Sequence, residues 1–154
     1  MKLIQLLIDA DGCPVTEIAC NTAVKYGLKC KIICDTSHVL SIPGAETITV
    51  SKGNDSVDFY LVNMINKGDI AVTQDYGLAA MCLAKGAFAI NQNGIIYDDS
   101  NILSLLNNRH TAKKLRKQGI RLKGPSKRDK EMDTVFKEKL EFLIEKSTKM
   151  LYDN

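Results

Sequence analysis

The sequence predicts a three-layer α/β/α fold, with a mostly parallel sheet and C-terminal helices. Two observations carry this. Short apolar runs of strand length alternate with stretches of helical periodicity, the pattern of a sheet covered on both faces. Gly and Pro stand between those runs, where one element must end before the next begins.

The elements follow in order. Leu3 to Ile8 is an almost continuous apolar run, as in a central strand, and it stops at Asp9. Pro14 suits a first helical turn and Gly27 a C-terminal stop, so 14–26 reads as helix. Leu28 to Cys34 alternates around Lys29 and Lys31 as a strand, and a loop over 35–45 contains Pro43-Gly44. Glu46 to Val50 is a short strand, Ser56 to Asn66 an apolar-rich helix closed by Lys67-Gly68, and Ile70 to Thr73 a strand. Leu78 to Lys85 is a helix stopped by Gly86, and Ala87 to Ile90 is a strand. Asn93-Gly94 marks a turn into Ile95-Ile96-Tyr97, so an edge hairpin is expected. Asn101 to Gln118 is helical, amphipathic at first and then basic, and Gly119 to Pro125 breaks it. A last helix spans 127–148. Within Lys127 to Lys146, Met132, Val135, Phe136, Leu140, Leu143 and Ile144 lie near one face. The order is β-α-β-β-α-β-α-β-β and then two helices. With 154 residues, one domain over 1–154 is the expectation: a core over 1–118, a basic loop over 119–126 and the closing helix.

Composition excludes some classes. Hydrophobic residues make up 45% and charged residues 25%, which is ordinary for a globular chain. No apolar run is long enough to span a bilayer, and Leu3 to Ile8 is too short for a signal segment. Five cysteines, at 13, 20, 30, 34 and 82, show no paired zinc spacing. The chain therefore reads as cytoplasmic, with reduced thiols and no membrane partner. Nothing in the sequence specifies an oligomer. Leu28, Cys30, Ile32 and Cys34 share one strand face and read as core. Cys13, before Pro14, reads as a half-buried structural thiol.

Charge is uneven. Between Arg109 and Lys130 stand ten Lys or Arg and one acid, Asp129, whereas residues 1–108 carry eleven acids and seven basic side chains. A solvated helix face accounts for such a run. An acidic site facing a basic ribbon also suits a polyanion held by its backbone.

Five aspartates carry the chemistry. Asp9, Asp11, Asp55, Asp58 and Asp75 each fall where an apolar run stops or a helix starts. In a parallel sheet those points gather at the carboxyl ends of the strands, where ligands bind. Carboxylates crowded there repel one another unless a cation lies between them, and Mg²⁺ or Mn²⁺ needs only a few of them. Helix caps alone also account for Asp55, Asp58 and Asp75, but not for Asp9-Ala-Asp11, which precedes Pro14. Around these lie Thr36, Ser37 and His38, a side-chain-capped turn or a phosphate contact, and Lys52, within reach of a substrate phosphate.

The blocks Asp9-Ala-Asp11-Gly-Cys13-Pro14-Val15, Asp35-Thr36-Ser37-His38, Gly53-Asn-Asp55-Ser56-Val-Asp58 and Thr73-Gln74-Asp75-Tyr76-Gly77-Leu78-Ala79 resemble the signature of the bacterial YaiI/YqxD family. The basic segment with Arg116-Lys117-Gly119 and Gly124-Pro125 is similar too, so the resemblance covers residues 3–145. It departs at Gly12, where alanine is usual. The family is grouped with PIN-like domains. The resemblance therefore implies a PIN-like sheet and a Mg²⁺- or Mn²⁺-dependent nuclease ancestry. One acid falls after the first strand (Asp9), one in a middle helix (Asp55 or Asp58) and one after the fourth strand (Asp75). A further acid would fall near position 98 or 99.

Three functional expectations follow. The first is a metal-dependent nuclease, acting on RNA in preference to DNA. Asp9, Asp11, Asp58 and Asp75 would be catalytic and would hold the metal with Asp55. Lys113, Lys114, Arg116, Lys117, Arg121 and Lys123 would hold the strand backbone. The second is a phosphatase of the haloacid-dehalogenase type, with Asp9 as nucleophile and Asp11 as acid. The third is a nucleic-acid-binding module without turnover.

Overall fold

The computed structural model describes residues 3–35, 41–53, 56–120 and 127–153. Among these residues six strands and five helices follow in the predicted order: β1 (Gln5–Asp9), α1 (Thr16–Lys25), β2 (Lys29–Asp35), β3 (Glu46–Val50), α2 (Ser56–Met64), β4 (Ile70–Val72), α3 (Tyr76–Ala84), β5 (Phe88–Ile90), β6 (Ile96–Tyr97), α4 (Ile102–Lys117) and α5 (Lys130–Tyr152). The strands form one sheet in the order β3-β2-β1-β4-β5-β6. Every pairing is parallel except the β5–β6 hairpin. From β1 the chain first builds outward through β2 and β3, then returns to the other side of β1 with β4. The reversal point lies between β1 and β4, where an open α/β sheet leaves a crevice at its carboxyl edge.

Alternation along each strand makes the three layers. Leu6 and Ile8 face the layer of α1 and α5, together with Ile32, Ile70, Val72 and Ile90. Leu7, Ile33, Ala71 and Ala89 face the other layer, that of α2, α3 and α4. On α5, Phe136, Leu140, Leu143 and Ile144 are the buried face, and they pack over Ala19, Cys20 and Ala23 of α1. The C-terminal helix thus completes the core of the sheet's first face. Each such Leu or Ile contributes roughly 1.5–3 kcal/mol by leaving water. Cys30, Ile32 and Cys34 do share a core face, and the Cys30 thiol donates to Cys20 Sγ at 3.1 Å.

Helix ends differ from the periodicity for local reasons. α1 begins at Thr16, not Pro14: residues 10–13 close a turn in which the Cys13 N–H donates to the Ala10 carbonyl at 3.1 Å. α3 begins two residues earlier than the apolar run, because the Asp75 side chain accepts the Leu78 N–H at 3.1 Å. α5 begins at Lys130, not Lys127, because Asp129 is its N-cap and accepts from Met132 N–H at 3.0 Å; it then runs on to Tyr152. Gly94, at φ +85°, makes the hairpin turn beneath α5, where a Cβ would lie 3.2 Å from the Val135 carbonyl oxygen.

Asp69 is an aspartate with a structural task. It is 1% exposed and accepts hydrogen bonds from Gln5 N–H (3.0 Å), Gln5 Nε2 (3.2 Å) and Asn66 N–H (2.9 Å). It ties the start of β1 to the turn before β4, at the sheet edge opposite the crevice. No helix among the described residues is long and apolar enough to cross a membrane.

Candidate functional site

A cleft of about 700 Å³ opens at the carboxyl ends of β1 and β4. Asp9, Asp11, Gly12, Gln74, Asp75, Tyr76, Leu105, Asn108, Ala112 and Arg116 line it. Topology explains the meeting. β1 and β4 are adjacent and parallel, with Ile8 opposite Val72, so the residues that follow them emerge side by side. Asp9 and Thr73 each come two residues after a side chain of the α2–α4 face, Leu7 and Ala71, and so point into the same layer.

Thr73 organises this point. It is 1% exposed, and its hydroxyl donates to Asp9 Oδ2 at 2.7 Å while accepting the Asp75 N–H at 3.0 Å. The second bond takes up the hydroxyl's acceptor side and leaves its proton directed at Asp9. The Thr73 backbone is held from both sides: its N–H donates to the Ile90 carbonyl at 3.0 Å, and its carbonyl accepts the Tyr97 hydroxyl at 3.1 Å. Tyr97 in turn meets Tyr76 edge to face, with ring centroids 6.0 Å apart. The second strand supports Asp11, whose Oδ1 lies 3.4 Å from the Asp35 N–H. Gln74 Nε2 donates to the Gly12 carbonyl at 2.9 Å and so joins the two acidic loops. Gly12 adopts φ +71° with open space around its Cβ position. A glycine therefore suits the left-handed turn that separates Asp11 from Cys13.

The electrostatics are those of crowded anions. Burial pushes the Asp9 carboxyl up to about 6; the Thr73 hydrogen bond opposes this, and the charges of Asp75 and Asp11 add to it. Burial also raises the Cys13 thiol, in keeping with a structural role. Cys82, under α3, is pushed up to about 12, by burial first and also by the Asp58 and Asp9 charges.

The predicted residues separate into groups. Asp9, Asp11, Asp75 and Arg116 meet in the one cleft. Asp58 lies in an adjoining groove of about 580 Å³ that shares Asp75 as a wall and is otherwise lined by Phe59, Val62, Asn63, Gly77, Leu78 and Met81. Asp55, Thr36, Ser37, His38, Arg121 and Lys123 lie outside the described residues. Lys52, Lys113, Lys114 and Lys117 are exposed and do not line the cleft. On α4, Leu105, Asn108, Ala112 and Arg116 recur at helical spacing toward it, and Lys114 is about half a turn away from Arg116. Asp98 accepts from Ser100 Oγ (2.6 Å), Ser100 N–H (2.9 Å) and Asn101 N–H (2.9 Å); it braces the entry to α4 and does not line the cleft.

Sequence reasoning missed Thr73, Gln74 and Asn108 as site residues, and it missed Arg128. Arg128 donates to Asp133 (2.7 Å), Asn93 Oδ1 (2.8 Å) and the Gln92 carbonyl (2.7 Å), which fastens the start of α5 to the β5–β6 turn beside Gly12 and Gln74. No spacing signal marks Thr73, Gln74 or Arg128, since Asp9, Gly12, Asn93 and Gln92, the partners that place them here, are 35 to 64 positions away.

Among the described residues no group of three or more His, Cys, Asp or Glu is arranged to hold a metal ion as the chain stands. The donor set of the cleft still fits a hard divalent cation. It offers carboxylate oxygens without imidazole or thiol, and one of those carboxylates is held at about 6, a cost that a cation between the acids would remove.

Comparison with known proteins bears on the whole chain. Residues 7–146 match the family described as "Uncharacterized BCR, YaiI/YqxD family". A UPF0178 protein of Ruminiclostridium cellulolyticum is 51% identical over 140 residues, covering 91% of this chain and 92% of that one. UPF0178 proteins of Exiguobacterium sibiricum and Clostridium tetani are each 43% identical, over 144 and 145 residues, covering 94% of this chain and 99% of theirs. No solved structure matches the chain. The match spans both acidic loops, the sheet and most of α5, and on that ground the chain belongs to the YaiI/YqxD family.

Proposed function

We propose that this protein is a Mg²⁺- or Mn²⁺-dependent nuclease that hydrolyses phosphodiester bonds, in RNA more than in DNA. The observation that carries the reading is Asp9. It is a carboxylate set into the sheet's reversal point, held by Thr73, raised to about 6 by burial and by two neighbouring acids, and faced by Arg116 across an open cleft. Asp9, Asp11 and Asp75 would hold the cation, with Asp58 in the adjoining groove; when bound, it supplies Lewis-acid activation for attack on phosphorus. The chain's own groups have separate tasks. Thr73 keeps the Asp9 oxygens in one orientation, and the Asp75 cap stiffens the start of α3. Arg116 lines the cleft and would hold a phosphate oxygen there, and the basic residues of α4 would attract the rest of the polyanion.

The test has two parts. Calorimetry with Mn²⁺ on the unmodified protein and on Asp75→Asn asks whether a cation site exists, and binding lost in the variant is the expected result. Cleavage of mixed RNA and DNA with Mn²⁺, with and without Asp9→Asn, asks what the site does. Equal cleavage by both proteins ends the assignment. Salt-dependent RNA binding with no cleavage under any divalent cation makes the protein a binding module. Capture of an aspartyl-phosphate analogue on Asp9 makes it a phosphatase instead.

A further inference from the structure

We propose that the groove beside the aspartate cleft takes an unpaired nucleobase stacked on Phe59, so that the substrate strand is single-stranded where it enters. This rests on the nucleic-acid reading above and adds the substrate class to it. Phe59 is 74% exposed, more than any other large apolar side chain among the described residues, although it sits on a helix whose Val57 and Leu61 are in the core. Phe59, Val62 and Asn63 lie at i, i+3 and i+4 on α2 and form one wall. Leu78 and Met81 of α3 form the other, and Gly77 adds no side chain to narrow it.

The chemistry of this groove selects its occupant. Apolar walls and an aromatic face favour a flat ring. Asp58 and Asp75 complete the lining with carboxylates, which do not match an acidic peptide. The Asn63 amide offers both a donor and an acceptor. Asp75 also lines the cleft that holds Asp9 and Arg116, so a base in the groove and a phosphate at the cleft are neighbours along one strand. A base inside a duplex presents neither a face nor a vacant pairing edge.

The experiment is fluorescence anisotropy with a short unstructured RNA and a duplex of the same sequence, in EDTA so that no turnover occurs. Phe59→Ala should weaken single-strand binding about tenfold, Phe59→Trp should restore it, and duplex affinity should change little. Because Phe59 is exposed, the melting temperatures should agree. Unchanged single-strand affinity in Phe59→Ala, an equal loss on duplex, or no single-strand binding by the unmodified protein would each overturn the proposal. So would a dimer dispersed by Phe59→Ala with no effect on RNA, since that assigns the groove to a second copy. The two readings separate cleanly. Phe59-dependent binding without cleavage keeps the groove and removes the nuclease, whereas cleavage with KM unchanged in Phe59→Ala does the reverse.

Discussion

The hydroxyl of Thr73 donates to Asp9 Oδ2 at 2.7 Å across 64 residues of sequence. The bond crosses from the end of β4 to the end of β1, and together with the Gln74–Gly12 bond it makes two separate acidic loops into one site. Thr73 is fixed by its own backbone bonds to β5 and to the Tyr97 hydroxyl, so Asp9 is oriented by the sheet and not by a mobile loop.

Thr73→Val keeps the shape and removes this bond. It also leaves the Asp75 N–H without the oxygen it now donates to. The loss should amount to about 1–3 kcal/mol in stability. With the hydrogen bond gone, nothing on the Thr73 side opposes burial, and the Asp9 carboxyl should titrate higher still. The acid limb of the pH–cleavage profile should move to higher pH in Thr73→Val and return in Thr73→Ser. A profile that falls in height without shifting would show that Thr73 acts on the fold alone.

Asp9→Asn should make the metal-free protein more stable while abolishing cation binding. Because the folded protein holds the Asp9 proton at about 6 against an ordinary 3.8, folding favours the protonated form. That contribution is complete below about pH 4 and is lost as pH rises through 6. At pH 8 the asparagine variant should therefore gain up to about 3 kcal/mol, seen as a higher melting temperature in EDTA that converges with the unmodified protein near pH 4. For the same reason Mn²⁺ affinity in the unmodified protein should fall as pH drops below 6, with release of a proton detectable by calorimetry in buffers of different ionisation enthalpy. Identical melting of both proteins across this range would contradict the raised carboxyl.

Arg116 and Lys114 stand two residues apart and should behave differently. Arg116 lines the cleft, and Lys114 lies on the far side of α4. Arg116→Ala should weaken RNA binding about tenfold and lower the salt-dependence slope by about one, and Lys114→Ala should cost less than about threefold. Equal effects would mean that the basic helix acts only through its total charge.

Asp69→Ala separates structure from function. It removes the acceptor of the Gln5 and Asn66 backbone N–H groups inside the fold, which should cost about 2–5 kcal/mol by chemical denaturation. Activity per folded molecule should not change, because Asp69 is at the sheet edge opposite the cleft.

Local chemistry decided much of this protein without reference to its folded shape. The apolar run before Asp9, the Asn93-Gly94 turn and the helical spacing of Phe136, Leu140, Leu143 and Ile144 each depend on neighbours within a few residues, so element order and the three-layer class are readable from the chain. The same holds for Asp9, Asp11 and Asp75, which follow strand ends whose place in a parallel sheet is predictable. Other outcomes depend on which strand lies beside which. The 3-2-1-4-5-6 order sets β4 next to β1 and so gives Asp9 a threonine as its partner. The packing of α2 against α3 puts Asp58 in a groove next to the cleft, not within it. The rotation of α4 admits Arg116 and excludes Lys114. A hydrogen bond between residues 64 positions apart, and the burial that raises a carboxyl, arise from packing in three dimensions, and sequence periodicity carries no record of either.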